Sequence, residues 1–324
     1  MAISNNASYI PTMNEFLAHW AQVNAAITPE LTVPAPDGTG VTFSGFSDLR
    51  DSLLAQFQNV IGYLNDKEIA RGSIRLQKAK MLAHFNEFNA MLDGYWSATA
   101  FINARPYAPS ASDGAETFLT PMRDALSLWE KINVAPAPAG VILPLALSDG
   151  TNVAVFATEI SELQAAYVAE ANANQDAVLA RSQRDGIMAN AKAVMVAYRK
   201  IVPARCAQFP ALVDTLPAVT PPPGHTPAPV NASAVFQAPD QAKIVYDASP
   251  EATLARYELR GNPGEEYDED DAVTLATHSP TAAREFLTGF GLTQPGTQAS
   301  YKVFVILATG NEAGSATMTV ERPL

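Results

Sequence analysis

One cysteine, four histidines and no run of basic residues leave this chain few of the usual means of doing chemistry. With Cys206 alone, neither an intrachain disulfide nor a multi-cysteine metal site is available. A lone thiol beside the apolar end of a helical stretch reads as a small core residue. His19, His84, His225 and His278 are far apart, and no His-x-x-x-His or Glu-x-x-His pair joins them. Each reads as a surface or satisfied core residue. A Gly-x-Ser-x-Gly elbow, a P-loop and a dinucleotide fingerprint are all missing. No stretch of about eighteen consecutive apolar residues occurs, so no membrane span is expected. The start, MAISNNASYIPTMNEF, has neither the basic opening nor the apolar run of a secretory signal. The cytoplasm is therefore the default expectation, with leaderless export left open. Thirty-three acidic residues against 21 basic ones give a net charge of −12. Without a basic face to neutralise phosphates, nucleic acid is excluded as an expected partner. The sequence points to no catalytic, cofactor-binding or metal site, and to no cofactor.

What is present is a repeat. Residues 9–24, YIPTMNEFLAHWAQVN, are written again at 118–133 as FLTPMRDALSLWEKIN. Met13, Leu17, Trp20 and Asn24 fall on Met122, Leu126, Trp129 and Asn133 at one constant offset. Two of the three tryptophans thus share a repeat position. The apolar spacing of Met13, Phe16, Leu17, Trp20, Val23 and Ile27 predicts a helix over 12–27, with Thr12 as N-cap, Glu15 closing a capping box and Pro29 ending it. A small hairpin follows, turning at Asp37-Gly38. Its counterpart is 141–147 and 153–156 around Asp149-Gly150, and Asp-Gly-Thr-x-Val occurs in both copies.

Next in each copy comes a long alternation of four- and three-residue steps. In the first it runs through Phe57, Val60, Leu64, Lys67, Arg71, Ile74, Lys78, Met81, Phe85, Phe88 and Leu92. Its phase never slips, so one helix over about 47–92 is preferred to two antiparallel helices turning at Leu64-Asn65-Asp66. The second copy, from Ile160 to Val202, behaves alike, with Pro203 as its stop. Both seams are apolar at their ends and polar in the middle. Lys67, Arg71 and Lys78, and Glu170, Asn174, Arg181 and Arg184, read as a solvated or register-setting waist. The sharper alternative is a groove for an anionic ligand, opposed by Glu68, Asp176 and Asp185 nearby. Tyr95-Trp96 reads as a buried contact beneath the loop 104–114.

Six prolines within 217–229 then predict an extended, semi-rigid spacer. Beyond it the periodicity changes to two, and strands are expected near 230–236, 242–246, 254–259, 272–276, 286–290, 301–307 and 316–320. The fold class is thus multidomain, all-α plus all-β. A helical repeat at 1–115 and a second at 116–215 pack as one internally duplicated helical bundle with small β-hairpins. A Pro-rich linker at 216–229 leads to a β-sandwich at 230–324.

Leu292-Thr-Gln-Pro295-Gly296-Thr297, followed by Tyr301-Lys-Val303-Phe-Val305, resembles the fibronectin type III pattern of a leucine, a Pro-Gly-Thr turn and a corner tyrosine opening strand F. Tyr257-Glu-Leu259-Arg is similar to that family's strand C, and Gly310-Asn-Glu-Ala-Gly314-Ser to its F–G turn. Two positions depart from the pattern: Tyr246 stands where the family usually has tryptophan, and the turn before Tyr301 is longer. The length and spacing of the strands suggest a seven-strand sandwich, as the resemblance does, and no Arg-Gly-Asp adhesion motif is present. The whole arrangement also resembles a group of bacterial proteins with a duplicated helical domain and a fibronectin type III module, which implies no activity. The acidic stretch 265–271 reads as a solvated loop; its spacing is not that of an EF-hand, although oxygen-rich loops can hold calcium.

The expected function is a non-enzymatic structural or assembly protein, a helical scaffold displaying a β-sandwich interaction module. Self-association is expected through the helical half, where Leu54, Ile61 and Leu82 widen the apolar stripe of Met81, Phe85, Phe88 and Leu92, with the acidic sandwich left outward. The alternative is a binding protein whose sandwich recognises a protein or carbohydrate surface. An enzyme with its site at the polar waist is the third reading.

Overall fold

The computed structural model describes residues 2–221 and 224–324. Helices α1 (Tyr9–Ala26), α2 (Phe43–Tyr95), α3 (Ala115–Asn133), α4 (Val153–Arg205) and the short α5 (Pro210–Asp214) come first in the chain. A two-residue pair, β1 (Val33–Pro34) and β2 (Gly40–Val41), separates α1 from α2. Strands β3 (Ala232–Gln237), β4 (Gln241–Tyr246), β5 (Leu254–Pro263), β6 (Val273–His278), β7 (Glu285–Thr288), β8 (Gln298–Leu307), β9 (Glu312–Gly314) and β10 (Met318–Glu321) follow. No described helix is long and apolar enough to cross a membrane.

The long periodicities are continuous helices. α2 and α4 have 53 residues each, roughly 80 Å at 1.5 Å per residue. No hairpin forms at Leu64-Asn65-Asp66. α4 runs two residues past Pro203, whose missing N–H and ring contact with the Arg199 carbonyl fall in the last turn, where little of the helix remains to be disturbed.

The start of α1 differs from the expectation. Thr12 is no N-cap: its hydroxyl donates to Ser8 O at 2.7 Å inside the helix. The N-cap of α1 is Ser8, without a side-chain cap bond; Asn5 caps the 3-10 turn Asn6–Ser8 that leads into Tyr9, exchanging bonds with Ser8. Pro11 is tolerated because first-turn N–H groups lack intrahelical acceptors anyway. The second hairpin is reduced to one bridge, Ala146 to Asn152. Val153 to Phe156 is helical instead of extended, because the Asn152 Oδ1 accepts the N–H groups of Ala154 and Val155 and starts α4.

The chain divides into two compact units. Unit 1 joins Met1–Asn65, Ala173–Thr293 and Thr297–Arg322. One of its cores gathers Met13, Phe16 and Trp20 of α1 against Phe46 and Leu53 of α2 and Met195 and Tyr198 of α4. Cys206 lies within it, fully buried, and burial raises its thiol pKa. Unit 2 is built mainly of Asp66–Asn172. Its core packs Met122 and Trp129 of α3 on Phe85, Phe88 and Leu92 of α2 and on Phe156 and Leu163 of α4. Trp96 is buried there, whereas Tyr95 is half exposed. The stripe Met81, Phe85, Phe88 and Leu92, expected to be open in part to a second molecule, is wholly covered within this core, and Leu82 packs on its margin.

The strands of unit 1 form two antiparallel sheets, β3-β4-β7 and β10-β8-β5-β6, with β9 added to β8. One core draws on both, from Ile244, Tyr246 and Phe286 on one side to Tyr257, Leu259, Tyr301 and Val303 on the other. Tyr246, in the place of the expected tryptophan, stacks on Phe286 at 5.2 Å and meets Tyr257 at 4.9 Å. Glu312–Gly314, read as turn, pairs with Ile306, Val305 and Phe304 instead. Gly314 lies against the Phe304 ring, where a Cβ would come within 2.9 Å.

The linker is no free spacer in its described parts. Val219 is buried in the α1 core and its carbonyl accepts the Ile3 N–H at 2.9 Å. Arg199 donates to the carbonyls of Leu216 and Pro217. Glu251 takes the Ala228 N–H and His225 Nε2, each at 3.1 Å. Pro222 and Pro223, part of the predicted spacer, lie outside the described residues.

Candidate functional site

Side chains alternate along a strand, so Arg256, Glu258 and Arg260 share one face of β5. That face looks away from the Tyr257 and Leu259 core, yet Glu258 and Arg260 are buried. Arg260 donates to Glu258 Oε2 at 2.8 Å and to Glu312 Oε2 of β9 at 2.7 Å, and its guanidinium sits 4.0 Å from the Phe304 ring centroid. Burial works against the Arg260 charge, but the two carboxylates outweigh it and raise its pKa. Asn5 donates to Glu312, tying the N-terminal segment to the same cluster. A cleft of about 590 Å³ opens beside it, lined by Ser4, Pro11, Glu15, Arg256, Thr277 and Thr309 among others.

The acidic loop leads to a second cluster. Asp271 is buried rather than solvated, and both its oxygens are taken by α4. Arg181 Nε donates to Oδ2 at 2.6 Å and Arg184 Nη1 to Oδ1 at 2.7 Å. Arg184 also reaches the Asp270 carbonyl at 2.8 Å, and Asn6 donates to the same carbonyl at 2.9 Å. The Asp271 hydrogen bond raises the Arg181 pKa against a smaller opposing effect of burial. Glu265, Glu266, Asp268, Glu269 and Asp270 remain exposed. The β-sheet region is therefore fastened to α4 along this loop.

In unit 2 the remaining cations of the polar waist are also engaged. Arg71 bridges Glu68 at 2.8 Å and Glu170 at 2.7 Å. Burial opposes its charge, and Glu170 and Glu68 together raise its pKa. Lys78 donates to the carbonyls of Ala111 and Asp113 at 3.1 and 2.5 Å, pinning the loop ahead of α3. These residues make tertiary bonds. Of the three acids expected near the arginines, Glu68 and Asp185 bind Arg71 and Arg184.

The histidines are bonded, each in its own place. His19 contacts the Tyr198 hydroxyl at 2.7 Å and donates to the Leu212 carbonyl at 2.8 Å. His84 is flanked by Glu159 at 2.9 Å and Asp149 at 3.0 Å, with Lys80 on the other oxygen of Glu159 at 2.8 Å. Asp149 also takes the N–H and hydroxyl of Thr151, which with His84 lower its pKa. His278 stacks on Phe286 at 4.0 Å, and His225 pairs with Glu251. Among the described residues no group of three or more His, Cys, Asp or Glu is placed to hold a metal ion.

The sequence reading missed the Glu258–Arg260–Glu312 cluster and the His84 cluster. Arg256-x-Glu258-x-Arg260 at strand period was a usable cue for the first. For the second there was none, because Asp149 and Glu159 are distant from His84 in sequence.

No family model matches the chain, and no curated protein is related to it recognisably in sequence. Similar solved structures include a Fn3-like protein from Clostridium thermocellum, 20% identical, covering 31% of this chain and 97% of its own, with a TM-score of 0.25. The chicken CNTN1 FN1–FN3 domains are 13% identical over 33% of each chain, with a TM-score of 0.26. The pectate lyase PelI from Erwinia chrysanthemi, in complex with tetragalacturonic acid, is 21% identical with a TM-score of 0.24. This chain spans 28% of that lyase's length. At these scores no activity or partner transfers to it.

Proposed function

We propose that this protein is a non-enzymatic structural and assembly protein, a duplicated helical scaffold that carries a fibronectin type III-like sandwich and associates with further copies of itself. The observation that carries the reading is the use made of the buried and half-buried charges. Arg71, Lys78, Arg181, Arg184 and Arg260 each bind a carboxylate or carbonyl of another segment. Groups spent this way are tertiary struts, and removing one leaves its partner uncompensated.

The duplication draws support from matching environments. Trp20 lies 5.8 Å from Phe46 and 4.9 Å from Tyr198, and Trp129 lies 5.8 Å from Phe156 and 5.0 Å from Phe88. Asn24 Oδ1 accepts the Leu31 N–H at 3.0 Å, and Asn133 Oδ1 the Leu145 N–H at 2.8 Å. In each copy the Asp-Gly-Thr turn has a glycine at positive φ and an aspartate accepting the threonine N–H. The sandwich reading draws support from its strand order and from Tyr301, whose hydroxyl donates to the Phe290 carbonyl at 2.6 Å as a tyrosine corner would.

A second reading, recognition of another protein by the sandwich, rests on the outer face of β3-β4-β7. Val235, Val245 and Leu287 are exposed there around the Lys243–Glu285 ion pair. Negative-stain microscopy of the full chain separates the two: ordered polymers or closed rings favour assembly, and single particles favour recognition of a different protein.

A further inference from the structure

The last third of α4 carries a charge opposite to that of the chain. From 186 to 213 there are four cations, Lys192, Arg199, Lys200 and Arg205, and no Asp or Glu. Lys192, Val196, Arg199 and Lys200 lie along one side of the helix, and with Ala218, Val219 and Thr220 they line a groove of about 500 Å³. All three cations of the groove are exposed. Arg199 is held in place by the Leu216 and Pro217 carbonyls. Among the described residues neither Lys192 nor Lys200 has an ion pair, and no carboxylate lines the groove.

The complement to this groove is on the same chain but fixed elsewhere. Glu265, Glu266, Asp268, Glu269 and Asp270 are exposed on a loop that Asp271 clamps to Arg181 and Arg184. Lys192 lies eight residues beyond Arg184, roughly 12 Å along the helix, and Lys200 roughly 24 Å. A loop fastened at Asp271 leaves these lysines unneutralised within its own molecule.

We infer that the groove of Lys192, Arg199 and Lys200 receives the acidic loop 265–270 of a second copy. Basic groove and acidic loop are different patches, so the contact is heterologous. Each copy keeps one unused patch of each sign, and the contact propagates as a ring or a filament. Charge complementarity steers such an encounter and sets its register, and salt weakens it, since exposed charges are screened within about 8 Å at physiological ionic strength. This inference rests on the assembly reading above and names its interface.

The experiment is sedimentation velocity on the full chain and two charge-reversed variants, Lys192→Glu/Lys200→Glu and Glu265→Lys/Glu269→Lys. All four side chains are exposed, so thermal melts should match the wild type; the milder K192A/K200A pair provides the same comparison if a reversal disturbs folding. Each variant alone should associate at least about tenfold more weakly than the wild type, and the equimolar mixture should recover association, because each variant then supplies the sign the other lacks. Raising the salt from about 0.05 M to about 0.5 M should dissociate the wild type. Association indifferent to both reversals and to salt would overturn this interface and leave the assembly reading standing. A wild type monomeric at low salt would overturn both.

Discussion

Arg184 Nη1 lies 2.7 Å from Asp271 Oδ1, and the two side chains are 3% and 0% exposed. Such a pair gains little over an apolar pair of the same shape, but loss of one member strands the other charge. Asp271→Ala should therefore lower stability by about 3–5 kcal/mol in a denaturant melt. Glu269→Ala, exposed on the same loop, should change it by less than about 0.5 kcal/mol. Equal effects at the two positions would mean that Asp271 is no strut.

The two repeated tryptophans should respond alike to truncation and differently to a subtler change. Trp20→Ala and Trp129→Ala each empty a fully buried site, at a cost of about 3–5 kcal/mol. Trp129 Nε1 donates to the Leu145 carbonyl at 3.2 Å, whereas Trp20 Nε1 has no hydrogen-bond partner among the described residues. Trp129→Phe should consequently cost about 1 kcal/mol more than Trp20→Phe. Chemical melts of the four variants measure this, and a larger loss for Trp20→Phe contradicts it.

The parts legible in the sequence were those repeated or periodic. The unbroken step pattern from Phe57 to Leu92 specified α2 because every apolar position returns to one helix face. Thr12 misled because a Thr-x-x-Glu spacing recurs inside helices, and Pro11 was the better marker of a first turn. Val153 to Phe156 satisfied strand propensity, but the Asn152 cap decided for helix. Asp271 was hidden among acids of equal appearance. Only its long-range meeting with Arg181 and Arg184 separates it from its neighbours. His84 was likewise opaque, as its carboxylates come from a turn and another helix.

Acid should weaken both Asp-Gly-Thr turns. Asp37 and Asp149 have lowered pKa values because each accepts bonds from its threonine, Thr39 or Thr151. A depressed folded-state pKa gives stability that is complete above the unfolded value of about 3.9 and is lost as the pH falls through the folded one. The Tm gap between the wild type and Asp149→Asn should hold steady above about pH 5 and close below about pH 4. A gap unchanged down to pH 2, on the order of two units below the unfolded value, would deny the turn its acid sensitivity.

The two β-sheets share a core of their own but borrow part of their cover. A fragment starting near residue 227 keeps Ile244, Tyr257, Tyr301 and Phe286 together, and it should melt cooperatively with a β-type circular dichroism spectrum. Asp271 and Glu312 then lose Arg181, Arg184 and Asn5, so its Tm should fall below that of the β-sheet transition in the full chain. A fragment with no cooperative transition would show that the strands depend on the helices for folding itself.

Assembly is the claim on which the functional account turns, and the molar mass of the full chain in solution tests it most directly. Light scattering at low salt across the micromolar range should return a mass that rises with concentration above the 34.5 kDa of one chain. A mass fixed at that of one chain throughout the range would contradict the account and turn attention to the exposed face of β3-β4-β7.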